Sequence, residues 1–340
     1  MKTLQAIDAA ARDLPDGVRK TVYNATKATH AKTQAALHRD YPDPDRLREL
    51  AGQIKQHTLE HLDSYLAQAE ERLKANGAHV HFATTAERAN ETILQILRSH
   101  GCRRLVKSKS MVTEEIHLGP FLEAHGFECV ETDLGEFIIQ IDHDRPSHII
   151  KPMAHKNRFD AARIFQRERL GNFDGLSGDD IPAHITRSAR AHLRQKYLGA
   201  DCGLTGGNFV SAESGRIQLV TNEGNARFCI AATPVHIAII GIEKLIPRDE
   251  HFALFSNLIA RSGNGLQLTV YNQFINGPRG PGQPDGPEHF HVIFLDNRRT
   301  EVLASDCREI LRCIRCGACL NVCPVYRQSG GHAYRSVYPG

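Results

Sequence analysis

Residues Cys313–Pro324 read CIRCGACLNVCP and place four cysteines within eleven positions. Cys313, Cys316 and Cys319 are three residues apart, and Cys323 follows after three intervening residues and precedes a proline. This C-x₂-C-x₂-C-x₃-C-P spacing is typical of the thiolates that hold [4Fe–4S] clusters in bacterial ferredoxins. Structural zinc sites more often use two separated cysteine pairs or include histidine. The segment therefore predicts an iron–sulfur cluster, with zinc or metal-free thiols as the alternatives.

The fourth cysteine of the motif raises a question about cluster number. In two-cluster ferredoxins this cysteine ligates the other cluster, yet no cysteine follows Cys323 before Gly340. The remaining cysteines are scattered along the chain: Cys102, Cys129, Cys202, Cys229 and Cys307. Either Cys323 closes one local cluster, or the full-length protein continues beyond Gly340, which the ending Ser336–Gly340 favours. We expect truncation, a labile three-cysteine site here, and a second cluster only in a longer chain.

Composition sets outer limits on the function. The chain has 340 residues, 41% of them hydrophobic, which is enough for one large domain with appendages. Nine cysteines without a secretory leader indicate a reducing, cytoplasmic location. The longest apolar run, around Val235 to Ile242, is far shorter than the ~20 residues of a transmembrane helix. The net charge of +3 does not suggest nucleic acid as a partner.

Charge is concentrated near the cysteine motif. Residues 298–340 contain seven arginines and three acidic residues. A basic surround stabilises an anionic thiolate cluster and attracts an acidic redox partner. The alternative is an ordinary solvated tail.

Three regions are predicted: a helical N-terminal segment (1–77), an α/β domain (78–297) and an incomplete ferredoxin-like segment (298–340). Helices are expected within 1–42, with a break at Leu14–Gly17, and from Asp43–Pro44 to Asn76–Gly77. The later helices are predicted at 84–100, 110–125, 157–170 and 182–198. Strands are predicted at 80–83, 104–107, 127–131, 137–141, 216–222, 235–242, 266–275 and 289–295. This alternation favours a sheet that is at least partly parallel.

One candidate ligand site follows the strand at 104–107. Lys107, Lys109 and Ser110 lie where a strand ends and a helix begins, which suits a carboxylate or phosphate. Glu114 and Glu115 in the first helical turn already complement the helix dipole, which favours a structural role instead.

A second candidate site combines the glycine-rich segment 203–208 with TNEGN at 221–225. Glycine lets backbone N–H groups approach a ligand closely, and glutamate can act as a base or nucleophile. The candidate side chains are Thr205, Asn208, Glu213, Asn222 and Glu223. A hairpin turn at 222–225 is the alternative.

Two further features are interpreted as structural. The acidic run Glu131–Glu136 is predicted to be a solvated loop. His236, a weak catalytic candidate, is more often a histidine of the core in such an apolar strand. The sequence contains no G-x-G-x-x-G, P-loop, G-x-S-x-G or H-E-x-x-H motif, so it indicates no nicotinamide or ATP site of its own.

From about residue 45 to its end the sequence resembles the lactate utilization protein B family, iron–sulfur proteins with a LUD domain. The matching phrases are KSKSMVTEEI (107–116), ETDLGE (131–136), PSHI (146–149), HK (155–156), TNEGN (221–225), PVHIA (234–238), GIEK (241–244) and CIRCGACLNVCPVYR (313–327). The resemblance implies a fold similar to the CoA-transferase/ribose-phosphate isomerase group. It also implies a subunit that works with A- and C-type lactate utilization proteins to oxidise L-lactate to pyruvate in the cytoplasm. Family members continue into a second cysteine motif, which this chain lacks.

Three functions follow from these expectations. The first is an electron-transfer subunit of an L-lactate-oxidising complex, with its cluster passing electrons to a redox partner. The second is an acyl/CoA-type transferase with Glu223 as nucleophile, which rests on analogy of fold alone. The third is a redox-sensing iron–sulfur adaptor.

Anaerobically prepared protein should contain iron and sulfide, with a broad visible absorption that decreases on reduction. Replacing Cys313, Cys316 or Cys319 should each remove the cluster, because all three thiolates bind the same core. Replacing Cys307 should leave it intact. Metal analysis and absorption spectra test this; stoichiometric zinc without sulfide contradicts it.

Overall fold

The computed structural model describes residues 2–338, and side chains from residue 5 onward. The first helices are α1 (Lys2–Asp13), α2 (Asp16–Asp40), α3 (Pro44–Glu60) and α4 (Leu62–Ala75). The predicted break at Leu14–Gly17 is confirmed, and Asp43 caps α3 by accepting the N–H of Arg46. The single helix predicted for 44–76 is wrong, because His61 separates α3 from α4.

The rest of the chain alternates strands and helices. Within the described residues the strands are β1 (His79–Ala83), β2 (Arg104–Lys107), β3 (Glu128–Glu131), β4 (Cys202–Thr205), β5 (Phe209–Ser211), β6 (Ile217–Thr221), β7 (Val235–Gly241), β8 (Leu245–Ile246), β9 (Tyr271–Ile275) and β10 (His289–Leu295). The helices after α4 are α5 (Ala86–Ser99), α6 (Met111–Glu115), α7 (Leu118–Ala124), α8 (Leu134–Ile141), α9 (Arg158–Arg167), α10 (Ile181–Leu198), α11 (Asn225–Ala231), α12 (His251–Asn264), α13 (Arg299–Leu303), α14 (Ala318–Val322) and α15 (Pro324–Ser329). Short 3₁₀ turns occupy Ile242–Lys244, Arg308–Arg312 and His332–Tyr334.

A parallel sheet of six strands forms the centre of the protein, in the order β1-β10-β7-β4-β2-β3. Each neighbouring pair is parallel, so all six carboxyl ends meet at one edge. We call this the carboxyl edge: the strand-end residues Ala83, Lys107, Glu131, Thr205, Gly241 and Leu295 with the residues that follow them. The prediction of an α/β protein with a parallel sheet is confirmed. Such an edge is where open α/β sheets bind ligands.

Both faces of the parallel sheet are covered, because side chains alternate along each strand. Ile237 and Ile239 of β7 pack with α5 and α7 on one face. Ala238 and Ile240 pack on the other face with α4 and with a smaller sheet, ordered β8-β5-β6-β9. The apolar run at 235–242 is therefore a strand buried on both sides.

The strand predicted at 137–141 is wrong, because these residues belong to helix α8. Asp133 caps this helix by accepting the N–H groups of Gly135 and Glu136. Phe137 and Ile138 then pack against α9 and α10 in a separate helical core. A short apolar run fits a strand and a buried helix equally well, and the cap decides between them.

Other differences concern boundaries and missed elements. The predicted helix 110–125 is two helices, because His117 has a left-handed backbone (φ 51°) between α6 and α7. The predicted strand 266–275 is reduced to β9, and 222–225 leads into helix α11 instead of a simple hairpin. The sequence did not predict the strands β4, β5 and β8 or the helix α12.

Gly203 should be irreplaceable at its position in β4. A Cβ there would lie 1.8 Å from the carbonyl oxygen of Cys229, which belongs to α11. Gly203→Ala should therefore lower the free energy of unfolding by about 3 kcal/mol, at the upper end for an overpacked core.

Gly119 is the matched control, because a Cβ at this position in α7 meets no atom within 4 Å. Gly119→Ala should leave stability unchanged or raise it by about 0.5–1 kcal/mol. Urea unfolding followed by circular dichroism gives both values; equal stability of the two variants would disprove the close approach of β4 and α11.

Candidate functional site

We call residues 313–323, which carry the four cysteines of the motif, the cysteine loop. One backbone N–H group in this loop and one just after it lie near cysteine sulfurs. Arg315 and Gly317 adopt left-handed conformations (φ 64° and 72°), which bend the backbone between the cysteines. The N–H of Arg315 lies 3.4 Å from Cys313 Sγ, and that of Tyr326 lies 3.5 Å from Cys323 Sγ. N–H donors to sulfur are among the features that tune iron–sulfur clusters.

The thiols of the loop influence one another. Burial raises the pKa of Cys316 and of Cys319, and the charge of Cys313 raises both further. Three adjacent thiolates repel each other unless cations lie between them, and bound iron supplies that charge. The thiols of Cys313, Cys316, Cys319 and Cys323 therefore suit bound iron, and which of them share one cluster stays a prediction.

Cys323 has different surroundings from the other three. It precedes α15, its Sγ lies 3.8 Å from the hydroxyl of Tyr334, and it packs in a cluster with Val22 of α2 and Tyr326. The hydroxyl of Tyr326 donates to the carbonyl oxygen of Ser147 at 2.7 Å. The cysteine segment is thus packed into the body of the protein.

A buried ion-pair network joins the loop to the carboxyl edge. Glu243, which follows β7, is 1% exposed and pairs with Arg299, which follows β10. Arg299 also binds both carboxylate oxygens of Glu115, at 2.9 and 2.8 Å. Arg315 of the loop lies 3.9 Å from Glu243, and its guanidinium stacks over the ring of Tyr338 at 3.9 Å. We call these five residues the Glu243 network.

Two buried lysines lie beside this network. Lys55 of α3 donates to the carbonyl oxygens of Glu243 and Leu245, the latter at 3.2 Å. Burial lowers the pKa of Lys55 to about 7 and that of Lys244 to about 8, while the Cys313 thiolate opposes both shifts. Cys313 is therefore close to several basic groups.

A second network surrounds Lys107 at the end of β2. Its ammonium lies 2.6 Å from Glu131, 3.2 Å from Glu114 and 3.7 Å from Glu136. Burial alone would lower the pKa of Lys107, but Glu131 and Glu136 raise it well above its usual range. Burial also raises the pKa of both glutamates. We call these four residues the Lys107 network.

The prediction that Glu131–Glu136 is a solvated loop is wrong. Thr132, Asp133 and Glu136 are buried, and Asp133 accepts from Lys109 at 2.8 Å in addition to capping α8. These acidic residues are the internal partners of the two lysines that were predicted to bind an anion.

The predicted anion-binding residues do not converge on one point. Lys107 and Lys109 face internal carboxylates, and Ser110 lies next to Gly206 at the carboxyl edge. Asn208 and Asn222 accept the N–H groups of Val220 and Val270 and so fix backbone around β6. Thr205 is buried and hydrogen-bonds to His236 at 2.8 Å. Their role in binding a ligand stays a prediction.

The three weak catalytic candidates also have internal roles. Glu213 accepts the N–H of Asp249. His236 is fully buried, stacks on Phe290 at 4.9 Å, and has its pKa lowered to about 3 by burial. Glu223 accepts the N–H of Leu134, and burial followed by the charge of Asp133 raises its pKa.

Sequence reasoning missed the residues that attach the loop: Lys55, Glu115, Glu243, Lys244, Arg299, Arg315 and Tyr338. One signal was present, since Glu243 and Lys244 directly follow an apolar strand in the phrase GIEK. Charged residues at that position lie at the carboxyl edge and need partners there.

Comparison with known protein families agrees with this arrangement. The family described as LUD domain matches residues 66–295, and that described as 4Fe-4S dicluster domain matches residues 309–340. The chain belongs to the lactate utilization protein B family. It is an iron–sulfur protein of that family, with its LUD domain followed directly by the cysteine loop.

Relatives are similar over most of this chain. Lactate utilization protein B of Shouchella clausii is 44% identical over 330 residues, which are 97% of this chain and 68% of that protein. The same protein of Geobacillus kaustophilus is 49% identical over 294 residues, 86% of this chain and 61% of that protein. An uncharacterized electron transport protein of Escherichia coli, YkgF, is 46% identical over 323 residues, which are 95% of this chain and 67% of that protein. The chain thus spans about two thirds of their length.

Among solved structures, a DUF162 family protein from Deinococcus radiodurans covers 69% of this chain and 98% of its own, with 16% identity and a TM-score of 0.39. Within residues 2–338, no helix is both long enough and apolar enough to cross a membrane.

Lys107→Met should destabilise the protein by about 3–5 kcal/mol, because it leaves buried carboxylates without their cation. The loss should grow as pH rises from about 5 to about 8. Lys107 lowers the pKa values of Glu131 and Glu136 in the wild type, so its removal raises both further. The folded variant then binds more protons relative to its unfolded state than the wild type does, and its stability falls more steeply as pH rises. In the wild type the raised pKa of Lys107 keeps its ammonium charged, so its ion pairs stabilise the folded state throughout this range.

Lys196→Met is the control, since Lys196 pairs with Glu128 at the surface. It should change stability by less than about 1 kcal/mol at either pH. Urea unfolding at both pH values checks the prediction, and a pH-independent loss in Lys107→Met would contradict it.

Proposed function

We propose that this protein is the electron-transfer subunit of a cytoplasmic complex that oxidises L-lactate to pyruvate together with A- and C-type lactate utilization proteins. The names of the relatives support the pathway, and the cysteine loop supports the redox role. The thiol-rich composition, with nine cysteines, supports a reducing compartment.

The observation that carries this proposal is the attachment of the cysteine loop to the carboxyl edge. Arg315 reaches Glu243, and Tyr338, which lies beyond the cysteines, donates to Glu115 at 2.8 Å. These contacts fix the thiols relative to the parallel sheet. A redox group held in a fixed position suits transfer between defined donor and acceptor sites.

A [4Fe–4S] cluster would pass on one at a time the two electrons that lactate oxidation releases. Conversion of lactate to pyruvate releases two electrons and two protons, and a [4Fe–4S] cluster bound by the loop supplies one-electron transfer. The carbon chemistry is assigned to a partner subunit. Arg315 and the protonated forms of Lys55 and Lys244 place positive charge near Cys313, which favours the more negative, reduced state of the thiolate assembly.

The loop is also accessible. Cys313 and Cys319 are exposed, as are the neighbouring apolar residues Ile310, Val322 and Val325. A partner that docks on this surface would bring its own redox group close to the cluster. Arginine in the same segment favours an acidic partner.

The experiment is to reconstitute the complex anaerobically from the full-length protein and its A- and C-type partners. Lactate should reduce the wild-type cluster, seen as a paramagnetic signal and as bleaching of the visible absorption. Cys316→Ser should abolish lactate-driven reduction of an added acceptor, because it removes a cluster ligand. Cys307→Ser, which alters an exposed thiol outside the motif, should retain it.

Size-exclusion chromatography controls for assembly of each variant. Undiminished lactate oxidation by an assembled Cys316→Ser complex would refute the electron-transfer role and favour the adaptor hypothesis. Within the described residues the carboxylate of Glu223 accepts the N–H of Leu134, which gives it a structural role and does not favour the transferase hypothesis.

A further inference from the structure

The outer edge of strand β9 carries main-chain groups that no other strand satisfies. β9 is the last strand of the smaller sheet and pairs with β6 alone. In β6 the carbonyl oxygen of Gln218 accepts an N–H group on the β5 side, so the next residue, Leu219, directs its main-chain groups toward Gln273 of β9. Asn272 and Phe274, on either side of Gln273, therefore point their N–H and C=O groups away from the sheet. Within residues 2–338 these four groups have no hydrogen-bond partner.

The side chains along this edge are uncharged, and several are apolar. Leu268, Val270 and Phe274 are 51%, 68% and 49% exposed. The ring of Phe274 lies 5.1 Å from that of Phe252 in α12, so it is held in place on one side and open on the other. Residues 264–277 contain no charged side chain. Nothing along the edge therefore repels a second uncharged strand.

The other edge strands of the two sheets are protected against association. Proteins protect exposed edges with charged residues or by keeping the edge strand short. β3 contains Glu128 and Glu131, and β8 has only two residues. β1 is interrupted by His79 and His81. Among the edge strands of the described residues, β9 alone has none of these features.

We propose that β9 pairs antiparallel with β9 of a second copy of this protein, about a two-fold axis at Gln273. In this register Asn272 of each copy lies opposite Phe274 of the other. Each of these two pairs exchanges two N–H···O=C bonds, so all the outward groups of both copies are satisfied. Phe274 then lies diagonal to Val270 and Phe274 of the second copy, a separation that aromatic side chains can bridge.

A second copy fits this edge better than a strand of a different protein. Charge complementarity selects a different protein as partner, and β9 offers no charge for it. A two-fold axis brings each unpaired group to its complement with no further requirement on sequence. Because the paired segment is short, we expect a reversible dimer whose population depends on concentration.

Sedimentation velocity of the cluster-loaded full-length protein tests the proposal. The wild type should convert from monomer to dimer as its concentration rises. Phe274→Pro removes the outward N–H of each copy and breaks no hydrogen bond inside the sheet, so the protein should fold while its dimer dissociation constant rises at least tenfold. Phe274→Leu keeps the N–H and an apolar side chain, and should dimerise more tightly than Phe274→Pro.

A charged residue at the same position gives a second variant with a matched control. Phe274→Lys places two like charges close together across the axis and should also abolish the dimer. Phe82→Lys is the control, because Phe82 is 51% exposed and lies on β1, an edge strand of the other sheet. It should dimerise like the wild type. Circular dichroism confirms that each variant is folded.

Hydrogen exchange identifies the edge that is paired. The amides of Asn272 and Phe274 should exchange rapidly in the monomer and become protected in step with dimerisation. A wild type that is monomeric at all concentrations, or a dimer that forms equally well in Phe274→Pro and Phe274→Lys, would overturn the proposal. Protection of both amides in a monomer, or only after an A- or C-type partner is added, would assign the edge to another segment or protein and would overturn it as well.

Discussion

The buried carboxylate of Glu243 is the contact on which the arrangement of the whole site depends. Its side chain pairs with Arg299 after β10 and faces Arg315 of the cysteine loop, while its carbonyl oxygen accepts from Lys55 of α3. Burial opposes ionisation, yet Arg299 and its basic neighbours hold the pKa of Glu243 below its usual value. A helix, two strand ends and the loop therefore meet at one charge. A buried charge is costly unless an opposite charge pairs with it, and Arg299 supplies that charge here.

The carboxyl edge is divided by charge. Around Glu243, basic groups exceed acidic ones: Lys55, Lys244, Arg299 and Arg315 against Glu243 and Glu115. Around Lys107, acidic groups exceed basic ones: Glu114, Glu131, Asp133 and Glu136 against Lys107 and Lys109. Among the thiols of the cysteine loop, Cys313 lies near the lysines of the basic half. An anionic thiolate beside the acidic half would add repulsion to a region where burial already raises the pKa values of Glu131 and Glu136.

Short sequence motifs predicted local structure, but they could not predict ion pairs between residues that are far apart in the sequence. Asp43 with the following proline located the start of α3, and the cysteine spacing located the loop, because each signal lies within a few residues. The partners of Lys107 could not be found this way, since Glu131 meets it only when β2 and β3 pair. The same holds for Arg299 and Glu115, which are far apart in sequence. The apolar run at 137–141 predicts a strand, but Asp133 caps it as a helix.

The contacts of the charged side chains also bear on the choice between the transferase and electron-transfer functions. A transferase requires one glutamate that is free to attack, whereas the carboxylate of Glu223 accepts the N–H of Leu134. An electron-transfer subunit requires no reactive side chain in its α/β domain. It requires a rigid support that fixes the thiols and supplies charge of the right sign. The Glu243 network provides both, and its charged members are sequestered as ion-pair partners instead of being presented to a substrate. The charges at this edge therefore serve to attach the cysteine loop to the sheet.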